Sequence, residues 1–384
     1  MKLRDFKNAY DRRSFIEKET GVSLGSLGKF GFEEEIVSSK NCENLIGAVH
    51  VPVGVVGPLK IRRETTDSRH LKSHYYIPLA TTEGALVASI NRGCRAISES
   101  GGATVSSELI GVTRGSVFKK SLSYKSKFNI NEWLWRNLGQ LRSIAGKTSD
   151  HIILLRHAVI EVGRYIFIRW YFDTADAMGM NMATMASQKL AGFIEKESGA
   201  QCIALAGNYD IDKKPAWINA ITGRGRIAMA EVLVPKAIVS SVLKTTPYKI
   251  EEVWKAKCMI GSALSGSLGF NAHFANVIAA LFIATGQDPA HVVEGSNGIT
   301  TIEVTKNGDL YCSVYLPSLM VGTVGGGTGL STQKEGLSIM SVSGTGKVEE
   351  FAGIVAGAVL AGEISLLASL AEGSLARAHK KLGR

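Results

Sequence analysis

HAVIEVG (157–163) and YIFIRWYF (165–172) break the texture of this sequence. Both are alternating or continuous runs of β type, and ATMASQKLAGFIEKES (183–198) follows with a helical pattern. Strands interleaved with helix between about residues 115 and 205 predict an inserted α+β subdomain. The flanks read differently. Residues 1–40 are polar and charged with helical stretches such as RRSFIEKET (12–20), and suggest a docking arm. NLIGAVHVPVGVVGPL (44–59) is apolar and broken by Gly and Pro, which predicts short strands and turns inside a core. From Thr82 to Ser98 the pattern is helical, with Leu86, Ile90, Cys94 and Ile97 on one face and Thr81 or Thr82 as N-cap. Residues 258–285 carry small residues and then an apolar run, which predicts a helix buried on most sides. An apolar helix over 356–370 and a basic tail, ARAHKKLGR (376–384), close the chain. The expected division is an arm (1–40), a large domain (41–114 with 206–384) and a small domain (115–205).

Composition narrows the function classes. The 384 residues are 45% hydrophobic, 20% charged and 7% aromatic, the balance of a soluble globular protein of two or three domains. A formal charge of +10 favours polyanionic partners, but the cations are scattered rather than gathered in a basic aromatic stripe, which argues against nucleic acid. Five widely spaced cysteines without a CxxC pair indicate a reducing compartment, with neither a disulfide framework nor a zinc site. The start lacks an apolar signal region. The apolar stretches 351–362 and 274–285 are too short to span a bilayer, so a cytoplasmic protein without membrane association is expected.

Three Gly-rich stretches could approach a phosphate: DAMGMNM (176–182) ahead of a helix, GTVGGGTG (322–329) and GRGR (223–226). None is a GxGxxG following a strand, so a Rossmann domain is not expected. Each alone is ordinarily a structural turn. GNYDIDKKP (207–215) is, by itself, a solvated turn of Gly, Asn, Asp and Pro. Glu83 at a helix start is ordinarily a capping group. Asp288 at the end of an apolar helix opposes the helix dipole, which leaves it without a structural reason. His273 reads as a core histidine and His379 as a solvated one.

Taken together, ENLIGAVHVPVGVVGPL, ATTEGALVASINRGCRAI, DAMGMNMA, GNYDIDKKPAWINAITGRGR, GSALSGSLGFNAHFANVIAALFIATGQD and LPSLMVGTVGGGTG resemble 3-hydroxy-3-methylglutaryl-CoA (HMG-CoA) reductase. The matches run in family order from about residue 41 to 379. The pattern is similar to a soluble form of class I, without the membrane anchor. The resemblance implies an α+β fold: a large helix-rich domain around a long central helix, with an inserted ferredoxin-like cofactor domain. It implies reduction of HMG-CoA to mevalonate and CoA by two hydride transfers, in a homodimer or higher assembly whose active sites are shared between subunits. Lys213 then corresponds to the oxyanion cation, Glu83 to the carboxylic acid, Asp288 to the group linking them, and His379 to the acid for the leaving thiolate. Arg114, Asp212, Lys214 and Lys257 match positions that grip the substrate carboxylate and hydroxyl, with Ser89, His273 and Asn276 around them. Asn91, Arg92, Arg95 and Lys244 match the CoA-phosphate site. Asp176, Met178, Gly179, Met180 and Asn181, with Val324, Gly325 and Gly326, match the nicotinamide dinucleotide site. No metal is implied.

Two positions depart from the family pattern. In TSDH (148–151), Ser149 is kept where a Ser-Arg pair commonly holds the adenosine 2′-phosphate, but Asp150 stands in place of the arginine. A carboxylate repels that phosphate and accepts ribose hydroxyls, so NADPH, the family default, and NADH both stay open, with Arg142, Lys147 and Arg156 as compensating cations. Ala206 stands where a serine is common, removing one substrate hydrogen bond worth about 1 kcal/mol. The same fold can run backwards as an NAD-linked mevalonate oxidase. A non-catalytic paralogue is disfavoured because Glu83, Lys213, Asp288 and His379 are all present.

Overall fold

The computed structural model describes residues 3–62, 74–120 and 129–373. Nine strands pair among them: β1 (Val53–Arg62), β2 (His74–Ala80), β3 (Ala103–Lys119), β4 (Ile153–Val162), β5 (Tyr165–Asp173), β6 (Gln201–Ala204), β7 (Gly225–Val234), β8 (Ile299–Val304) and β9 (Leu310–Leu319). The main path runs β2-β1-β3-β7-β9-β8, with β3 parallel to β1 and the other neighbours antiparallel. The fold is mixed α+β.

Strand β3 joins the two halves of the sheet. Thr104 to Gly111 pair with β7, whereas Val112 to Lys119 pair with β5 and, at their end, with β6. The change of partner falls at Gly111, whose φ of 108° suits a residue without Cβ, and the register slips beside it. The expected division at 114/115 therefore lies inside a continuous strand. Two apolar clusters flank this point. One gathers Val112 and Phe118 with Trp170, Phe172 and the inner face of helix Met180–Ser198. The other gathers β1, β2, β7 and β9 around helix Val348–Glu372. The N-terminal helices Ala9–Thr20 and Glu34–Lys40 share a small cluster of Ala9, Val37 and Leu45.

Several expectations are corrected. The final apolar helix spans 25 residues, not 356–370, and with a mean hydropathy of 2.0 over its apolar window it is long and apolar enough to cross a membrane. With 83% of its apolar window buried, it is the central core helix. Helix Leu86–Glu99 crosses it so closely that a Cβ on Gly93 would lie 1.9 Å from the Ala361 carbonyl oxygen. That helix starts at Leu86, not Thr82, because Ala85 adopts φ 73°; Thr81 Oγ1 accepts the Glu83 N–H in the preceding turn instead. Leu86, Ile90, Cys94 and Ile97 do share its buried face. Residues 258–285 are not one buried helix. A π-helical segment, Lys255–Gly261, and helix Ser262–Ser265 end at Gly266 in the left-handed region, and helix Phe274–Thr285 begins afresh. Leu264 in the first part is 84% exposed. Within 44–59, Leu45, Val56 and Leu59 are buried, but Val49 ahead of β1 is exposed, and so are Val53 and Val55, because β1 presents alternate residues outward.

Candidate active site

The loop carrying DKK is built by close approach. A Cβ on Gly115 would meet the Asp210 nitrogen at 2.5 Å, and one on Gly207 would meet Val117 Cγ2 at 1.9 Å, so the loop presses its backbone onto β3. Asn208, Ile211 and Lys213 all hold positive φ, at 61°, 45° and 59°. Such conformations cost on the order of 1–3 kcal/mol each and persist only where surrounding contacts impose them. Here the Asp210 carbonyl accepts from Thr113 Oγ1 at 2.9 Å, the Ile211 carbonyl from Asn219 Nδ2 at 3.0 Å, and the Lys213 N–H reaches Glu294 Oε1 at 3.3 Å.

The loop delivers Lys213 Nζ to 2.6 Å from Asp288 Oδ2. Asp288 does have a structural role: helix Phe274–Thr285 already ends at Gly286, and Asp288 caps the following turn by accepting the Ala290 N–H at 3.0 Å. Burial works to raise its carboxyl, but the hydrogen bonds from Lys213 and Ala290 outweigh it and hold the group below the usual aspartate range. Arg114 Nη1 stands 3.4 Å from Asp210 Oδ2 and 3.7 Å from Asp212 Oδ2. At Asp210 burial prevails over Arg114 and lifts the carboxyl above its usual range. Lys214 is exposed and touches the Asp212 carbonyl at 3.2 Å.

Beneath these groups lie buried charges, of which the sequence marked Arg224 alone, as part of a GRGR turn open to phosphate, where the structure buries it. Arg224, from the GRGR turn, is fully buried; it donates to Asp212 Oδ1 at 3.0 Å, to Thr113 Oγ1 at 2.8 Å and to Glu294 Oε1. His291 and Glu294 are buried too, with His291 Nδ1 2.9 Å from Glu294 Oε1. Nothing in spacing distinguishes Arg224 from a solvated turn cation, or Asp210 from Asp212, although Asp210 is buried and only Asp212 meets Arg224. Ligand atoms of Asp212, His291 and Glu294 lie within 4.8 Å of one another, as in a metal site. The Arg224 guanidinium bonds both carboxylates and supplies the cation there.

A second group forms around helix Leu86–Glu99. Glu83 is exposed and accepts Asn276 Nδ2 at 3.0 Å and 3.3 Å. Beside it opens a cavity of about 760 Å³ lined by Lys257, Ser262, Asn271, His273, Asn276 and Asn297. His273 caps helix Phe274–Thr285 rather than sitting inside a helix, and its N–H donates to the buried Glu363 at 2.8 Å. Ser89 Oγ lies 3.0 Å from Ser365 Oγ. Of the expected CoA-phosphate residues, Arg92 turns inward and spends its guanidinium on Ser365 and Ser369. Arg95 pairs with Glu99 at 2.7 Å on the exposed face, Asn91 accepts the Gly57 N–H, and Lys244 ends helix Lys236–Leu243 at φ 59°. Among the described residues, no hydrogen bond or ion pair joins Glu83 to Lys213 or Asp288 within one chain. His379 lies outside the described residues.

The two Gly-rich segments 176–182 and 322–329 do come together. Ala177 and Val324 form a parallel bridge, and a Cβ on Gly322 would sit 2.5 Å from the Met178 nitrogen. Gly179, at φ 85°, opens helix Met180–Ser198 and leaves the Asn181 amide in its first turn. Gly325 and Gly326 have open space where a Cβ would stand. Met180 Sδ touches Arg224. The Asp176 carboxylate accepts the N–H groups of Gly346, Lys347 and Val348 at 2.7–3.0 Å, capping the central helix. Burial opposes its ionisation, but these three bonds prevail and lower its pKa. Ser149 Oγ lies 3.5 Å from Met182 Sδ at the flank of this region, with Asp150 exposed next to it. Arg142 is committed to the Leu154 and Leu155 carbonyls, and Arg156 stacks on Tyr171 with 3.5 Å to the ring centre.

The family model described as hydroxymethylglutaryl-coenzyme A reductase matches residues 8–384. A 3-hydroxy-3-methylglutaryl-coenzyme A reductase of Methanothermobacter thermautotrophicus is 50% identical over 374 residues, covering 97% of this chain and 92% of that protein. One of Pyrococcus abyssi is 48% identical over 380 residues, with coverages of 97% and 92%. Among solved structures, a class II reductase of Streptococcus pneumoniae, described as bound to NADPH in open conformations, superposes with a TM-score of 0.69. Its identity is 17%, over 95% of this chain and 97% of that one, so this likeness is one of fold.

Proposed function

The chain belongs to the hydroxymethylglutaryl-coenzyme A reductase family, and on that premise we propose that Lys213 and Asp288 form the reactive pair of its site. The family's reaction, reduction of HMG-CoA to mevalonate, is an oxidoreductase reaction that develops negative charge on a carbonyl oxygen. A fixed cation there stabilises that charge more than the ground state. Lys213 is such a cation, and the observation that carries its role is the 2.6 Å contact to Asp288 on a loop held in positive-φ geometry. Asp288, kept ionised, holds the ammonium in place. Asp212, Lys214 and Arg114 around it bind the substrate's carboxylate and hydroxyl. Glu83 supplies a proton to the developing alkoxide, and His379 protonates the departing thiolate.

Glu83 and its neighbours Ser89, Lys257, His273 and Asn276 line the other wall, and the separation of the two groups within one chain supports a homodimer with each site built from two subunits. The exposed Asn91 and Arg95, with Lys244, hold the CoA phosphates, while Arg92 braces the helix from inside. Residues 115–205 act as the cofactor domain, ferredoxin-like rather than Rossmann, inserted in the large domain, with 1–40 as an arm. The residues fit a nicotinamide dinucleotide: a helix N-terminus at Gly179, open glycines at 325 and 326, and Val324 bridged to Ala177. That group, when bound, supplies the hydride. Met178, Met180 and Asn181 shape its bed, and Asp176 fixes the bed to the central helix. Asp150, with Arg142 and Arg156 both engaged elsewhere, supports use of NADH, while the exposed Lys147 keeps a cation nearby for the family's NADPH. Following reduced-cofactor absorbance with HMG-CoA tests the assignment. Lys213→Ala is expected to lower kcat by roughly 10²–10³-fold or more while the protein stays folded; retained turnover refutes the role.

A further inference from the structure

We propose that Glu294, together with His291, is the positioning residue that sets Lys213 and Asp288 against each other. The proposal rests on the assignment of Lys213 and Asp288 as the reactive pair. One oxygen, Glu294 Oε1, gathers three partners from three separate segments: the Lys213 backbone N–H at 3.3 Å, His291 Nδ1 at 2.9 Å, and the Arg224 guanidinium. Each partner governs a different part of the site. The N–H bond holds Lys213 at φ 59°, the conformation that aims its side chain at Asp288. His291 belongs to the turn that Asp288 caps, with Nε2 3.7 Å from Asp288 Oδ2 and 3.8 Å from Asp212 Oδ1. Arg224 holds Asp212 at 3.0 Å.

With Nδ1 facing Glu294, the imidazole turns Nε2 toward the two aspartates. That nitrogen is buried without a hydrogen-bond partner, as is Glu294 Oε2. Buried, incompletely satisfied polar atoms are costly and are not explained by stability alone. Glu294 and His291 are themselves 0% exposed and do not reach substrate. They act through the groups they orient.

The test compares Glu294→Ala, Glu294→Gln and His291→Gln with Lys213→Ala in the full-length enzyme, measuring kcat, KM for each substrate and melting temperature. A misplacement near 1 Å costs about 100-fold. Glu294→Ala is therefore expected to lower kcat about 100-fold, with KM for the nicotinamide cofactor within about twofold. Glu294→Gln, whose amide oxygen still accepts, is expected to recover about tenfold of that loss. If Glu294→Ala does not fold, Glu294→Gln and His291→Gln carry the comparison, each expected about tenfold down in kcat. Normal kcat in the Glu294 and His291 variants, with Lys213→Ala inactive, overturns the positioning role and leaves that of Lys213 intact. Loss of kcat accompanied by a matching rise in cofactor KM and a collapsed melting temperature overturns it as well. Activity in Lys213→Ala overturns the underlying assignment instead.

Discussion

Lys213 shows what a single residue can hide. Its neighbours in GNYDIDKKP are turn formers, and only the family pattern separated it from Lys214. In the structure the two lysines, both exposed, diverge in partner: Lys213 meets Asp288, while Lys214 meets the Asp212 carbonyl. Asp150 belongs to the same scale. With Arg142 and Arg156 engaged and Lys147 the exposed cation left nearby, Asp150→Arg is expected to favour NADPH. The ratio of kcat/KM for NADPH over NADH should rise by about tenfold or more, the worth of one charge-assisted hydrogen bond to phosphate. A wild-type enzyme already strongly selective for NADPH would refute the role of Asp150. Arg224 was misread in the sequence, and His291 and Glu294 were missed, for one reason. Burial turns an ordinary polar residue into a paired charge, and burial is not written in spacing.

At the scale of elements, periodicity served well wherever one face is apolar. The buried stripe of helix Leu86–Glu99 and the strands β4 and β5 follow directly from it. It failed where glycine stops a helix that apolar content would continue, as at Gly266, and where a helix is apolar all round, as in Val348–Glu372. The crossing of those two helices depends on Gly93. Gly93→Ala forces a methyl group against the Ala361 carbonyl and is expected to cost about 3 kcal/mol, read as a lowered denaturant midpoint with unchanged m-value. Wild-type stability would show that the helices can separate at no cost.

At the scale of the whole molecule, two properties become testable. The proposed sharing of sites between subunits predicts complementation. Glu83→Gln and Lys213→Ala, each inactive, should recover about a quarter of wild-type activity when dissociated and reassembled together in equal amounts. No recovery in verified mixed dimers excludes a shared site. The second property is acid stability. Asp176 ties the 176–182 segment to the start of the central helix, and its carboxyl is lowered in the folded state. A depressed pKa contributes stability above the unfolded value, near 3.9, and loses it as pH falls through the folded value. Asp176→Asn should therefore melt below wild type at pH 6, with the difference shrinking as the pH drops below about 4. A difference independent of pH would assign the effect to packing.

The sequence by itself determined the family, the mixed α+β class and the strand-and-helix texture of residues 115–205, and it singled out Lys213 and Asp288 as candidates. Those are carried by residue order and by local periodicity, both properties of neighbours along the chain. Only the tertiary structure decided that β3 serves two partners, that Asp176 caps a helix starting 172 residues away, and that no hydrogen bond or ion pair joins Glu83 to Lys213 among the described residues of one chain. It alone brought the Lys213 N–H, His291 Nδ1 and the Arg224 guanidinium to a single Glu294 oxygen. The physical reason is the same throughout. Burial, pairing and the field at a charge arise from segments far apart in sequence, and no local pattern encodes them.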